Sequence, residues 1–178
     1  MAAVAETIEQ SGRRIGGHAW FELRLFETVG GWVTSVPELE AKAALAAQSH
    51  HHAWHAELWH GLLPSVPDHL RPADLVVPAT GGDRALLDAL AAAPGTVERL
   101  AGLYRVALPR LIAAYTDHLA RTTPVTDGPT VRALRLVLAD EEDDRAAGEA
   151  LLEAALAADP ALPARAAAEE ARLAALAG

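Results

Sequence analysis

The run Gln48-Ser49-His50-His51-His52-Ala53-Trp54-His55-Ala56-Glu57-Leu58-Trp59-His60 decides how this chain is read. It lies inside a long helical pattern and puts imidazoles where a helix bundle places leucine. A buried imidazole needs a hydrogen-bond partner or a metal ion. On a helical wheel at about 100° per residue the run divides. One apolar face carries Ala41, Ala44, Leu45, Trp59 and Leu62, with Gln48, His52 and His55 in its middle and His51 and Leu58 toward its edge. His50, Glu57 and His60 point the other way, and Trp54 sits on a flank.

The helix that holds this run is the second of four long ones. The first is expected over about Ile15 to Val33, with Ile15, Ala19, Leu23, Phe26 and Gly30 at helical spacing. Ser35-Val36-Pro37-Glu38 reads as a capping box that opens the second helix, which Pro64 and Pro67 stop. A proline-rich connection leads to a short helix from Asp83 to Ala93. Pro94-Gly95 breaks it, and Thr96 is placed to cap a third long helix through Arg121. The fourth runs from about Thr130 to Ala158, and a tail helix occupies about 160–177. The connection 64–94 is long enough to run back along a second helix of about 40 Å. The expected fold is therefore all-α, a four-helix bundle with one long crossover, a short crossover helix and a C-terminal tail helix. It forms a single domain over 1–178 with its core at about 14–158.

Composition agrees with this. Half of the chain is hydrophobic but only 4% is aromatic, and alanine makes up much of the apolar content. Alanine carries the lowest cost in a helix and is depleted from strands. A net charge of −9 without a basic stripe argues against nucleic acid and against an anionic membrane surface as partners. The absence of cysteine removes disulfides, thiolate zinc sites and iron–sulfur clusters. No apolar run approaches the ~20 residues of a membrane span, and no signal-peptide core is present, so the expected compartment is the cytoplasm. Thr80-Gly81-Gly82-Asp83 lacks the lysine of a phosphate loop, and Gly16-Gly17 offers no phosphate motif either.

The fourth helix shows the same polar intrusion as the second. Leu134, Val137, Leu138, Gly148 and Leu152 define its inner face, with Glu141 and Arg145 on that stripe and Asp144 near its edge. The rest of Asp140-Glu141-Glu142-Asp143-Asp144 reads as charged surface. Counting turns from the loops brings Glu22, Gln48, His51, His55, Glu141 and Asp144 to one mid-bundle layer.

Four long helices, a crossover and a mid-bundle polar layer resemble the ferritin-like superfamily of di-iron carboxylate proteins, over roughly residues 14–158. The stretch from Leu25 to Pro64 also resembles an actinobacterial ferritin-like group distantly related to tRNA hydroxylases. Di-iron members take a glutamate from each of two helices and a Glu-x-x-His pair from each of the other two. Carried over, the first helix offers Glu22, with Glu27 as the alternative. The second offers Gln48-x-x-His51, and the fourth offers Glu141-x-x-Asp144. The inner face of the third, through Leu100, Leu103, Tyr104, Ala107, Leu111, Tyr115 and His118, has no carboxylate, and Glu98 is expected to point outward.

These departures leave at most three negative charges for two iron ions, and Arg145 subtracts one by an expected i, i+4 ion pair with Glu141. The preferred expectation is thus a degenerate, metal-free site in a binding or partner protein of unknown ligand. The alternative is an oxidoreductase or hydroxylase holding a single metal, with iron favoured. Its ligands would come from Glu22, His51, His55, Glu141 and Asp144, with Gln48, His52, Tyr104 and Arg145 lining the pocket. Two histidines and a carboxylate form the facial set of non-haem iron. Phe21, Leu25 and Trp32 are expected as an outer apolar stripe on the first helix, covered by the tail helix or by a homodimer partner.

Overall fold

The computed structural model describes residues 7–176, and these are all-helical, with no strand among them. Helix α1 spans Ile8–Trp32 and begins at a capping box, in which the Thr7 hydroxyl accepts from the Gln10 amide and the Gln10 side chain accepts from the Thr7 amide. Helix α2 spans Leu39–Gly61, α3 Pro72–Leu75 and α4 Gly81–Ala91. A second capping box, Thr80 with Asp83, opens α4. Helix α5 (Thr96–Gly102) runs through a π-helical turn at Leu103–Ala107 into α6 (Leu108–Arg121). Helices α7 (Pro124–Ala158) and α8 (Leu162–Ala174) complete the chain. Asp127 breaks the helical geometry of α7 and its carboxylate accepts from the Thr130 amide, so the straight part of α7 starts there.

Side-chain pairs fix the directions of the long helices. Ser49 reaches the Phe26 carbonyl and His52 reaches Glu22, so α1 and α2 are antiparallel. Gln48 meets Tyr104 and Trp59 meets Tyr115, so α2 runs parallel to α5–α6. Gln48 also reaches the Asp144 carbonyl and His55 reaches Asp140, so α7 runs antiparallel to α2 and therefore to α5–α6.

Two expected caps are put to other use. Ser35 hydrogen-bonds the Trp32 carbonyl and accepts from Arg99, while Glu38 accepts from the Thr96 hydroxyl. Neither Glu38 nor Gly95, the cap residues of α2 and α5, makes a side-chain cap bond. The four side chains instead tie together the two loops at one end of the molecule.

The inner face of α1 also differs from expectation. Leu23 and Phe26 are 40% and 39% exposed, while Phe21, Leu25, Val29 and Trp32 are buried. The crossover is the reason, since α3, α4 and the segment between them lie against this side of α1. Arg24 pairs with Asp88, and the Arg84 guanidinium lies 5.8 Å from the centre of the Trp20 ring. The stripe expected to seat a dimer partner or the tail helix is thus covered in cis by the crossover. Helix α8 packs on α5 and α4 instead, and Arg165 pairs with Glu98 at 2.7 Å, so Glu98 is buried rather than outward.

Close approach of the crossover depends on α1 glycines. A Cβ on Gly16 would lie 2.0 Å from the Leu75 carbonyl oxygen, and one on Gly12 would lie 2.8 Å from Pro64. Gly16→Ala should therefore destabilise the fold by on the order of 1–3 kcal/mol, the usual range for overpacking a filled site. Gly31→Ala, where a Cβ meets nothing within 4 Å, should stabilise by up to about 1 kcal/mol through helix propensity. Urea unfolding of the two variants checks the contrast, and equal midpoints would refute it.

Candidate metal centre

Four side chains meet in the middle of the helices, Glu22 from α1, His52 and His55 from α2 and Glu141 from α7, all fully buried. Helical spacing explains the supply. Positions 52 and 55 lie three apart on one face of α2, and that face lies between α1 and α7. His52 Nδ1 lies 2.7 Å from Glu22 Oε2 and 3.2 Å from Glu141 Oε1. His55 Nδ1 lies 3.1 Å from Glu141 Oε1 and 3.3 Å from Glu22 Oε1. The edges of a tetrahedron around a metal bonded at 2.0–2.2 Å are about 3.3–3.6 Å, so these atoms stand only slightly closer than a coordination shell. The group could hold a metal ion.

Supporting contacts orient the four. His55 Nε2 faces Asp140 Oδ2 at 3.1 Å, the carboxylate–histidine arrangement that orients metal-binding imidazoles. The Tyr115 hydroxyl donates a short hydrogen bond to Glu22 and accepts one from Trp59 Nε1 at 3.0 Å. Helix α6 therefore meets the group through a phenol. Two buried side-chain polar atoms lack a hydrogen-bond partner among the described residues, His52 Nε2 and Glu141 Oε2, and both belong to this group. An unmet buried polar atom typically costs about 1–3 kcal/mol, and neither is the atom its side chain turns toward the other three, which is Nδ1 for His52 and Oε1 for Glu141.

Charge is balanced within the group. Burial opposes protonation of both imidazoles, but the Glu141 and Glu22 carboxylates outweigh it and raise His52 to about 10 and His55 to about 11. Burial likewise opposes ionisation of Glu22, and the hydrogen bonds and charge of His52 and His55 hold it at about 2. Two imidazoliums thus face two carboxylates. Burial, reinforced by the charges of Glu22 and Glu141, raises Tyr115 well above its ordinary value and keeps its proton in place.

The remaining sequence candidates form a neighbouring layer. His51 and Asp144 pair with each other at 2.7 Å, with the His51 side chain partly exposed. Gln48 donates to the Asp144 carbonyl and accepts from the Tyr104 hydroxyl at 2.7 Å. Tyr104 comes from the π-helical turn, and its ring lies where a side chain on residue 148 would stand, a space that Gly148 leaves open. Glu27 is an exposed partner of Arg24. The expected Glu141–Arg145 ion pair does not form. Arg145 is exposed and donates to the Tyr104 carbonyl at 3.2 Å. Following Glu141 inward would strip water from a guanidinium beside two imidazoliums, which no single carboxylate offsets.

Sequence reasoning undervalued three residues. His52 joins the group directly rather than lining it, Asp140 contacts His55 rather than forming part of the charged surface, and Tyr115 hydrogen-bonds Glu22. Wheel position carries the signal for His52 and Tyr115, whereas Asp140 lies off the inner stripe and is reached by the length of the His55 ring. A further buried pair, His18 Nε2 and His118 Nδ1 at 3.0 Å, packs against Trp59 and Tyr115. Burial is the main cause that lowers both, His118 to about 4.

Comparisons with protein families, with curated proteins and with solved structures find no match to this chain.

The two histidine pairs give opposite pH signatures. His18 and His118, lowered in the folded protein, contribute stability above about 6.5 that is lost as pH falls toward 4. His52 and His55, raised, contribute stability that is full below about 6.5 and lost as pH rises through about 10 to 11. Metal-free protein should therefore lose stability from pH 7 to 5, and His118→Gln should reduce that loss. Urea midpoints at both values test this, and an undiminished drop in the variant would exclude the pair as its source.

Proposed function

We propose that this protein is a ferritin-like bundle holding a single divalent metal through Glu22, His52, His55 and Glu141, and that it works as a non-haem-iron type of oxidoreductase or hydroxylase. The observation that carries this reading is that two buried carboxylates and two buried imidazoles each bring one ligand atom within 4.8 Å of the others. The order of the long helices supports the ferritin-like part, with α1 and α7 pointing one way, α2 and α5–α6 the other, and the long connection between α2 and α5. Exposure of Arg145 removes the fixed cation that sequence reasoning placed in the layer. Two carboxylates balance one dication but not two, and Tyr115 occupies the place of a further carboxylate, so a single ion fits the group.

A mixed imidazole–carboxylate set suits iron, manganese or zinc over calcium or magnesium. Iron, when bound, would supply one-electron and dioxygen chemistry. The chain's own residues do the positioning: Asp140 orients the His55 ring, Trp59 holds the Tyr115 hydroxyl, and Tyr115 fixes one oxygen of Glu22. Burial of all four ligands excludes water from the group. The metal-free binding protein is the second reading, favoured by the charge balance that the two imidazoliums already provide.

Untagged protein should carry close to one equivalent of iron, manganese or zinc by plasma mass spectrometry. His52→Ala and Glu141→Gln should each abolish it, whereas His51→Ala should retain it. No metal, together with no uptake on anaerobic addition of Fe(II), would sink the metal reading. A dication must displace the protons of His52 and His55, so uptake should release about two protons and the affinity should rise about 100-fold per pH unit between 7 and 9. Calorimetry in buffers of different ionisation enthalpy measures that release.

A further inference from the structure

A trough of about 580 Å³ lies between α2 and α7, walled by Trp54, Leu58, Leu62 and Leu136 and edged by Glu57 and Arg132. A second concavity of about 540 Å³ shares Arg132 and Leu136 with it and adds Arg135. Trp54 and Leu136 are 41% and 38% exposed, large apolar side chains facing one open space. Neither Arg132 nor Arg135 makes an ion pair or hydrogen bond among the described residues, whereas Arg105, Arg165 and Arg172 are each bound to carboxylates. The chain has 24 acidic residues against 15 basic ones, so the lack of an acidic partner for Arg132 and Arg135 among the described residues does not reflect a shortage of acids.

We propose that this trough binds a monomeric amphiphile with one anionic head, a medium-chain carboxylate, with the head on Arg132 and Arg135 and the chain along Leu62, Leu58 and Trp54. Guanidinium recognises a carboxylate in a two-pronged geometry, and the apolar wall takes the chain. Charge sets the orientation. Glu57 on the α2 edge and Asp140, one turn beyond Leu136 on α7, repel the head from the Trp54 end. That end adjoins the metal-ligand group, because the Trp54 ring lies 5.7 Å from the ring of His55, which Asp140 holds. Binding itself needs no metal; only the view of the bound chain as substrate rests on the proposed function.

Calorimetric titration of chelator-treated protein with decanoate, below its micellar concentration, tests the site without the metal. Decanoate should bind at one saturable site, and decan-1-ol and acetate at least about tenfold more weakly. The double variant Arg132→Glu/Arg135→Glu should weaken decanoate at least about tenfold with an unchanged urea midpoint, and Leu136→Asp should do the same from the apolar side. Nuclear Overhauser contacts from the Trp54 ring should reach the terminal methyl rather than the methylene beside the carboxylate. Equal affinity for decanol, binding only to phosphatidylglycerol vesicles, a self-association of the chain that decanoate does not relieve, or the reversed Overhauser pattern would each overturn the proposal. Loss of metal uptake alone would leave it standing.

Discussion

Two fully buried carboxylates, Glu22 and Glu141, set the terms for this fold. An isolated ionised carboxylate in a helical core is penalised by far more than the net stability of a domain, unless opposite charge stands beside it. Glu22 and Glu141 come from helices far apart in sequence, and among the described residues His52 and His55, on the helix between them, supply that charge. The register of α1, α2 and α7 follows, because sliding any one of them by a turn would separate the pairs. Tyr115 adds α6 to the same constraint through its hydrogen bond to Glu22. All four long helical stretches are thus held at one height by polar contacts, and the surrounding leucines fill the space that remains.

The neighbouring layer obeys a looser rule. His51, Asp144, Gln48 and Tyr104 are joined in a chain of hydrogen bonds, but His51 is partly exposed, so water shares in solvating it. Burial raises the Asp144 carboxyl, with His51 acting against that rise. The π-helical turn that carries Tyr104 has a wider ring of hydrogen bonds than an α-helical one, a geometry that recurs at functional positions. Gly148 is the matching half of that arrangement on α7. A residue with no side chain on a helix face is ordinarily unfavourable, and here it makes room for a phenol.

Much of this was legible in the chain. Proline and glycine punctuation marked the helices, since breakers act locally and carry their own signal. The wheel of α2 separated His52 and His55 from His50 and His60, because facing depends on spacing alone. Facing on α1 was less legible. Leu23 and Phe26 sit at helical spacing with Ile15 and Ala19, and only the crossover lying against the opposite side explains why Phe21 and Leu25 are the buried ones. Which imidazole meets which carboxylate also escaped, as His51 and His52 differ by one residue and by about 100° around the helix. Arg145 lay on the inner stripe, yet a long side chain at a stripe's edge turns outward to stay hydrated. The wheel does set His52 deeper than His51, but the partner of each imidazole and the outward turn of Arg145 belong to tertiary packing.

Neutrality links the site to the fold in a way that separates it from structural metal centres. Two protons on the imidazoles, or one dication in their stead, balance the same two carboxylates. Zinc-finger-like domains lack such a substitute and unfold when the metal leaves. Here the protonated state already satisfies the charge, and what it leaves unmet is one nitrogen of His52 and one oxygen of Glu141. Metal binding would therefore act on a folded group, competing with protons for ligands that three helices already hold in place. That competition makes the imidazoles of α2, and not the burial of the core, the point at which pH and metal supply would govern the state of the protein.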